Sequence, residues 1–159
     1  MRLLVISDSH GSGVTVDRII RKESAAKEIF FLGDVVSDIE DLVYEYTDRN
    51  FHIVRGNCDF CSMLPSFDIV KLEELNIFMT HGHNYGVKSG TDALAAAAKR
   101  AGCRIALYGH THVSDIKYEN GLYIVNPGSV SRSRGGADSY AVIDIMPSGI
   151  LPAVKPVNT

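Results

Sequence analysis

The chain has 159 residues, of which 45% are hydrophobic and 22% charged, and its formal net charge at pH 7 is -3. This length supports one domain with a hydrophobic core, and the composition is that of an ordinary globular protein. The negative balance argues against a protein that coats a nucleic-acid backbone, although a metal ion could supply local positive charge to a phosphate-bearing substrate.

Targeting and redox signals are weak. The N-terminal stretch MRLLVISDSHG is too polar for a signal peptide, and no apolar run approaches the roughly 18 residues of a membrane span. We therefore expect a cytoplasmic protein without a membrane partner. Cys58, Cys61 and Cys103 are too few for a disulfide framework. Cys58 and Cys61 form a C-x-x-C pair, but they lack the further ligands of a zinc site and the following helix of a thioredoxin-like site.

Strands and helices are predicted to alternate along the first third of the chain. Short apolar runs predict buried strands at 2–7, 28–33 and 51–56. Apolar residues at helical spacing predict a helix at 14–22. A second helix is expected to follow Ser37, which forms a capping box with Glu40. This alternation is typical of a parallel sheet.

The remainder of the chain predicts a mixed sheet. An Ala-rich helix is expected at 91–101, with Gly102 as its stop. Asn120 and Gly121 stand between two alternating segments and predict a hairpin. Further strands are predicted at 67–72, 75–80, 104–109, 139–145 and 149–154. With no repeat or linker, the pattern indicates one α/β domain over residues 1–159.

Side chains suited to chemistry directly follow five predicted strands. They are Asp8 and His10; Asp34; Asn57, Cys58 and Asp59; His81 and His83; and His110 and His112. In open α/β sheets, ligands bind beyond the carboxyl ends of the strands. Carboxylate, amide and imidazole groups are ligands for divalent metal ions. The sequence therefore predicts a metal site at this edge.

Each of these residues also has an ordinary structural explanation. Asp8 and Asp34 could cap helices in the loops that follow their strands. Asn57 could serve a turn after Gly56, and a single histidine is more often a surface residue than a ligand. Together these explanations require five coincidences at equivalent positions, so we favour the metal site.

The series D-x-H, G-D, G-N-C-D, H-G-H and G-H-T-H resembles the motifs of the calcineurin-like metallophosphoesterase superfamily. More narrowly, it resembles the small single-domain bacterial and archaeal phosphodiesterase branch. The resemblance extends from the first strand through NPGSVSRSRGG to the last strands. It implies a four-layer αββα sandwich, in which two mixed β-sheets are flanked by helices, whereas the residues alone predict only a mixed α/β domain.

The resemblance also implies two divalent metal ions. One would be held by Asp8, His10 and His112, the other by Asn57, His81 and His110, and Asp34 would bridge them. Manganese is the metal that the family suggests, and Fe, Ni, Co or Zn would also suit these ligands. The implied activity is phosphodiester hydrolysis, in which a metal-bridging hydroxide attacks phosphorus in line.

Cys58 departs from the wider superfamily, which carries G-N-H-[DE] with a histidine thought to protonate the leaving group. A thiol with an ordinary pKa near 8.5 is a poor proton donor. We therefore expect a preference for diesters with good leaving groups, unless Cys58 is only a packing residue. Asp59 is predicted to orient a ligand or to cap a turn, and His83 to contact substrate or a ligand.

Several alternatives remain open from the sequence. Arg132 and Arg134 could contact a substrate phosphate, although such a loop is more often only solvated. The same centre could serve a phosphomonoesterase or nucleotide hydrolase. A non-catalytic scaffold is the other alternative, because a eukaryotic retromer subunit shares this architecture. The seven ligand-competent side chains favour an enzyme, and the resemblance implies a small phosphoester substrate. The acidic balance argues against a stable nucleic-acid complex. A homo-oligomer is possible, because small enzymes of this type often form one.

Overall fold

The protein is described by a computed structural model that covers residues 1–158. Its helices are α1 (Gly13–Lys22), α2 (Ser37–Glu45) and α3 (Asp92–Arg100), with a 3₁₀ turn at His83–Tyr85. Its strands are β1 (Arg2–Ile6), β2 (Glu28–Phe31), β3 (Asn50–Ile53), β4 (Phe67–Leu72), β5 (Leu75–Thr80), β6 (Ile105–Leu107), β7 (Asp115–Glu119), β8 (Leu122–Asn126), β9 (Ser139–Met146) and β10 (Gly149–Pro156).

The strands form two five-stranded sheets with orders β10-β9-β1-β2-β3 and β4-β5-β6-β8-β7. In the first sheet β1, β2 and β3 pair in parallel, as their alternation with helices predicted. Strands β5, β6 and β8 are parallel in the second sheet. Antiparallel strands β9 and β10 extend the first sheet beyond β1, and antiparallel β4 and β7 form the edges of the second sheet. Both sheets are therefore mixed.

Alternation along β1 separates two hydrophobic cores. Leu3 and Val5 lie in the core between the sheets, whereas Leu4 and Ile6 lie beneath α1 and α2. Because successive side chains of a strand point to opposite faces, a continuous apolar run marks a strand covered on both sides. Burying each such side chain stabilises the fold by about 1.5–3 kcal/mol.

A third core covers the outer face of the second sheet. Leu94 and Ala98 of α3 pack against Phe78 and Ile124 of the sheet. The layers are therefore α1 and α2, the first sheet, the second sheet, and α3. This arrangement confirms the αββα sandwich that the family resemblance implies.

The capping-box prediction at the start of α2 is wrong. Ser37 is already inside the helix and no side chain of the N-cap residue, Val36, caps it. The carboxylate of Asp59 instead accepts hydrogen bonds from the backbone N–H groups of Val35 and Val36, each at 2.9 Å. A distant side chain therefore does what the local motif was expected to do.

The hairpin prediction at Asn120-Gly121 is confirmed. Asn120 and Gly121 both have positive φ, 51° and 82°, as a two-residue hairpin turn requires. The cysteines are free, with Cys58 and Cys61 exposed and Cys103 buried. Within residues 1–158, none of the helices has the length and apolar character needed to cross a membrane.

Candidate metal centre

The candidate ligands lie on loops that leave the carboxyl ends of five strands. Strands β1, β2 and β3 of the first sheet supply Asp8, His10, Asp34 and Asn57, and strands β5 and β6 of the second sheet supply His81, His110 and His112. The side chains meet at one end of the sandwich, where both sheets contribute. All seven predicted ligands are brought together there.

One group of ligand atoms comes from Asp8, His10, Asp34 and His112, which all lie within 4.8 Å of one another. The two Nε2 atoms of His10 and His112 are 3.1 Å apart. His112 Nε2 is also 3.1 Å from Asp8 Oδ1. His10 Nε2 lies 3.8 Å from Asp34 Oδ2, which closes the group.

A second group surrounds His81, which is fully buried. His81 Nε2 lies 3.1 Å from Asn57 Oδ1 and 3.2 Å from His110 Nδ1. The same nitrogen is 3.4 Å from Asp34 Oδ2. Asp34 Oδ2 is therefore the atom that the two groups share.

The chemistry of these atoms fits a metal ion better than it fits an ordinary polar core. Asp8 Oδ1 is buried, and it receives a hydrogen bond only if His112 Nε2, 3.1 Å away, carries a proton. His112 Nδ1 donates to the Arg132 carbonyl at 2.8 Å, so a neutral His112 ring turns the lone pair of Nε2 toward Asp8. His81 is oriented in the same way by the Leu32 carbonyl at 2.8 Å. Facing lone pairs repel, and a proton or a metal cation between them relieves the repulsion.

Hydrogen bonds, burial and neighbouring charges set the protonation states of the acidic and basic groups in the site. Burial alone would raise the pKa of Asp34, but hydrogen bonding and attraction from His81 hold that pKa well below its ordinary value. The hydrogen bond to Asp8 raises the pKa of His112. Burial lowers the pKa of His110 to about 4, and the positive charges of His81 and Lys88 act in the same direction. Asp34 is therefore ionised and His110 neutral at pH 7, the states that a metal requires.

The backbone is strained at these ligands. Five of them have left-handed φ values between 45° and 68°: Asp8, His10, Asp34, His110 and His112. The β-branched Val35 has φ 77°. Left-handed conformation costs an L-residue roughly 1–2 kcal/mol, so other contacts must hold these loops in place.

Asp59 provides much of that support. Besides Val35 and Val36, its carboxylate accepts hydrogen bonds from the N–H groups of Asp34 at 3.0 Å and Gly56 at 2.7 Å. It thereby joins the loop after β2 to the loop after β3. Both roles proposed for Asp59 from the sequence, orienting a ligand and capping a turn, are compatible with these contacts.

Two glycines leave room for the carboxylates. A Cβ at Gly56 would collide with the side chain of Asp34, and a Cβ at Gly109 would collide with Ser7 Oγ and approach Asp8 Oδ2. Ser7 Oγ itself donates to Asp8 Oδ2 at 2.6 Å. The sequence pattern singled out neither Ser7 nor Gly109, because their contacts depend on how the two sheets meet.

Cys58 and His83 occupy different positions around the ligands. The Cys58 N–H donates to Asp34 Oδ1 at 2.8 Å. Although Cys58 is exposed as a residue, partial desolvation of its thiol raises the pKa to about 11, and the charge of Asp34 acts in the same direction, so the thiol is neutral at pH 7. His83 stands behind His81, with ring centroids 5.5 Å apart, and its Nδ1 is buried without a hydrogen-bond partner.

A cleft of about 330 Å³ opens onto the candidate ligands. Its lining includes Cys58 and three cations, Lys88, Arg132 and Arg134. Sequence reasoning missed Lys88, because nothing in its spacing marks it. A larger cavity of about 390 Å³ lies between the β4–β5 and β9–β10 turns, but no histidine or aspartate lines it. The chemistry therefore places the candidate site at the smaller cleft.

Comparisons with known proteins agree with this geometry. A model of the calcineurin-like phosphoesterase superfamily domain matches residues 1–147. The phosphodiesterase YfcE of Escherichia coli is 32% identical, over 91% of this chain and 88% of that protein. The crystal structure of a conserved predicted phosphoesterase from Streptococcus pneumoniae is 25% identical with a TM-score of 0.79, over 97% of each chain. Vacuolar protein sorting-associated protein 29 of Schizosaccharomyces pombe is 28% identical, over 98% of this chain and 86% of that protein.

Proposed function

Because this chain belongs to the calcineurin-like phosphoesterase superfamily, we propose that it is a phosphodiesterase with a dinuclear metal centre. The observation that carries the proposal is the shared position of Asp34 Oδ2, 3.8 Å from His10 Nε2 in one ligand group and 3.4 Å from His81 Nε2 in the other. The similarity to a phosphodiesterase of Escherichia coli supports the choice of substrate class.

The proposed ligand sets follow the two groups of atoms. Asp8, His10 and His112 would hold one ion, Asn57, His81 and His110 the other, and Asp34 both. When bound, two divalent ions supply positive charge to the phosphoryl oxygens and activate water for in-line attack. The mixed nitrogen and oxygen donors suit manganese, our first choice, and also Fe, Ni, Co or Zn.

The chain's own residues keep this site in a binding geometry. The Leu32 and Arg132 carbonyls fix the rings of His81 and His112, so that each presents Nε2 to the centre. Asp59 holds the loop that carries Asp34. Such supporting contacts save reorganisation when substrate binds, because the groups already point where charge develops.

The position of Cys58 favours diesters with good leaving groups. The thiol lies in the cleft, where other members of the superfamily carry a histidine, and it is neutral at pH 7. It therefore provides neither a positive charge nor a strong acid for the departing oxygen. An aryl or other stabilised leaving group needs no such assistance, whereas an alkyl oxygen does.

A protein-binding scaffold is the second candidate function, because a vacuolar protein sorting-associated protein 29 is among the relatives. The ligand atoms that face one another, among them Asp8 Oδ1 and His112 Nε2 at 3.1 Å, argue for the enzyme. A scaffold without metal would gain nothing from bringing two carboxylates and two imidazoles together at one point, because buried polar atoms that lack a proton or a cation between them cost about 1–3 kcal/mol each.

The test is a matrix of metals and substrates on the purified protein. Mn²⁺, Ni²⁺, Zn²⁺ and Mg²⁺ are paired with aryl phosphodiesters, aryl phosphomonoesters and nucleotides, and bound metal is counted by elemental analysis. We expect two ions per chain and fastest turnover of aryl diesters. The variant Asp34→Asn should lose both metal and turnover, whereas Asp41→Asn, an exposed residue of α2, should keep both.

Two results would overturn the proposal. Hydrolysis that persists in Asp34→Asn after the metal has been removed would contradict the metal mechanism. A protein that binds none of the four metals and hydrolyses none of the esters would favour the scaffold.

A further inference from the structure

The rim of the metal cleft is positively charged although the chain as a whole is acidic. Lys88, Arg132 and Arg134 line the cleft, and all three are exposed. Among the ion pairs of residues 1–158, none involves these three side chains. Unpaired cations around a concave site attract anionic ligands, because field lines concentrate in a low-dielectric cleft.

The two arginines belong to a segment whose backbone is fixed. The Arg132 carbonyl accepts from His112 Nδ1 at 2.8 Å, and the Arg134 N–H donates to the His112 carbonyl at 2.9 Å. The Arg132 N–H donates to Ser129 Oγ at 2.8 Å. Two guanidinium groups therefore leave a rigid segment beside a candidate metal ligand, where they can meet a ligand without first ordering a loop.

Lys88 lines the same cleft from the loop that follows the 3₁₀ turn. The arginine pair is placed on the side of His112, because the backbone of both residues is hydrogen-bonded to that histidine.

Accepting the proposed phosphodiesterase function, we propose that Arg132 and Arg134 bind a second phosphate group of the substrate. The substrate class is then a phosphodiester that carries a further phosphate in addition to the one that is cleaved. The seven candidate ligands already serve the scissile phosphate, and the cleft of about 330 Å³ is within the range of pockets that hold whole small molecules. Guanidinium groups match phosphate oxygens through paired N–H donors.

A matched pair of chromogenic substrates tests this proposal on the manganese-loaded protein. Thymidine 5′-(p-nitrophenyl phosphate) and its 3′-phosphorylated form release the same leaving group and differ by one phosphate. We expect kcat/KM to be about tenfold higher for the phosphorylated form, the effect of one good charge-assisted contact. In the double variant Arg132→Gln, Arg134→Gln this ratio should fall to about one.

Two further variants separate a specific contact from general charge attraction. Lys88→Gln should slow both substrates by a similar factor and leave their ratio unchanged. Lys99→Gln removes an exposed charge from α3, outside the lining of the cleft, and should change neither rate. If the ratio is near one in the unaltered protein, or survives the double arginine variant, the proposal is wrong.

Binding measured by calorimetry keeps this proposal distinct from the catalytic one. Thymidine 3′,5′-bisphosphate should bind about tenfold more tightly than thymidine 5′-phosphate, and the double arginine variant should lose the difference. Such a preference without any ester hydrolysis would support the arginine site and refute the phosphodiesterase. Equal binding of the two nucleotides, with normal hydrolysis of aryl diesters, would refute the arginine site alone.

Discussion

Two buried carboxylates of this protein have opposite surroundings. Glu23, at the end of α1, is 4% exposed, and its Oε1 accepts from Lys155 Nζ at 2.7 Å and Tyr140 Oη at 2.9 Å. Arg2 stands 3.4 Å from the other oxygen. Asp8, at the end of β1, is 0% exposed, and its Oδ1 faces no lysine or arginine but His112 Nε2 at 3.1 Å. One carboxylate is fully paired, and the other is surrounded by histidines that are themselves fixed by carbonyls.

The contrast between Glu23 and Asp8 distinguishes a carboxylate that stabilises the fold from one that is available to bind a ligand. A buried charge is tolerated when cations and donors satisfy it, as they do at Glu23. A buried charge that stays unsatisfied lowers the stability of the fold unless a ligand completes it. We therefore expect Glu23 to govern stability and Asp8 to govern metal binding, and each expectation can be tested against the other.

The largest effect is expected for Asp8→Asn. Loss of the charged ligand should reduce manganese-dependent hydrolysis of an aryl diester by at least about 10³-fold, more than a merely supporting residue would. Without metal, the variant should lose no more than about 1.5 kcal/mol of unfolding free energy, because the asparagine keeps an oxygen acceptor for Ser7 Oγ and the His110 N–H. Steady-state kinetics measures the loss of hydrolysis, and urea unfolding of the metal-stripped proteins measures the change in stability. A strongly destabilised metal-free variant would show that Asp8 is structural.

The reverse pattern is expected for Glu23→Gln. The change leaves Lys155 without its carboxylate partner and should lower the free energy of unfolding by about 2 kcal/mol, less than for a fully buried pair because Lys155 is partly exposed. Two bound ions and normal diester turnover should remain. Metal loss in this variant would mean that the two carboxylates are not independent.

The pH dependence of stability provides a control for Glu23. Burial would raise the pKa of Glu23, but Lys155 and Tyr140 lower it below its ordinary value. A carboxylate with a lowered folded-state pKa stabilises the protein fully above the unfolded pKa of about 4.3, and this contribution is lost as pH falls through the folded pKa. The stability gap between the unaltered protein and Glu23→Gln should therefore narrow below about pH 4.

An intermediate effect is expected for Asp59→Asn, which weakens the support of Asp34 without removing a ligand. Manganese affinity, or kcat/KM, should fall by about 10–100-fold. Calorimetric metal titration measures the affinity, and Asp41→Asn again provides a control with the same chemical change on the surface of α2. A loss as large as that of Asp8→Asn would instead place Asp59 among the ligands.

The smallest effect is expected for Cys58→His. An imidazole in the cleft can assist a departing oxygen that the neutral thiol cannot, so hydrolysis of alkyl esters should improve about tenfold relative to aryl esters. The ratio of kcat/KM for an alkyl and an aryl diester is the readout, with Cys58→Ser as the control. An unchanged ratio would leave Cys58 as a packing residue.

Much of the fold could be predicted from local patterns. The apolar runs of β1 and β2, the helical spacing of apolar residues in α1 and the Asn120-Gly121 turn each report on neighbours a few residues away. The grouping of Asp8 with Asp34, and of His81 with His110, followed from their positions after strands, because parallel strands bring their carboxyl ends together. That the two groups meet depends on how the two sheets pack. The second sheet as a separate layer came only from the family resemblance.

What escaped prediction depends on residues that are distant in the chain. Asp59 caps α2 from beyond β3, which no local motif near Ser37 could indicate. His52 interrupts a strand pattern, and only the structure shows its partner, Glu28 Oε2, at 2.8 Å. Lys88, in the loop after the 3₁₀ turn, lines the cleft together with residues of distant loops. Each of these contacts depends on how the layers pack and not on sequence spacing.

The candidate ligands come from both sheets, and this has a consequence for dynamics. Asp34 belongs to the first sheet and His81 to the second, so an ion between them would tie the two halves of the sandwich at that end. Amide hydrogens near the ends of β2 and β5 should then exchange with solvent more slowly in the loaded protein. Chelation would loosen that end first and leave the far end, around the β4–β5 turn, unaffected.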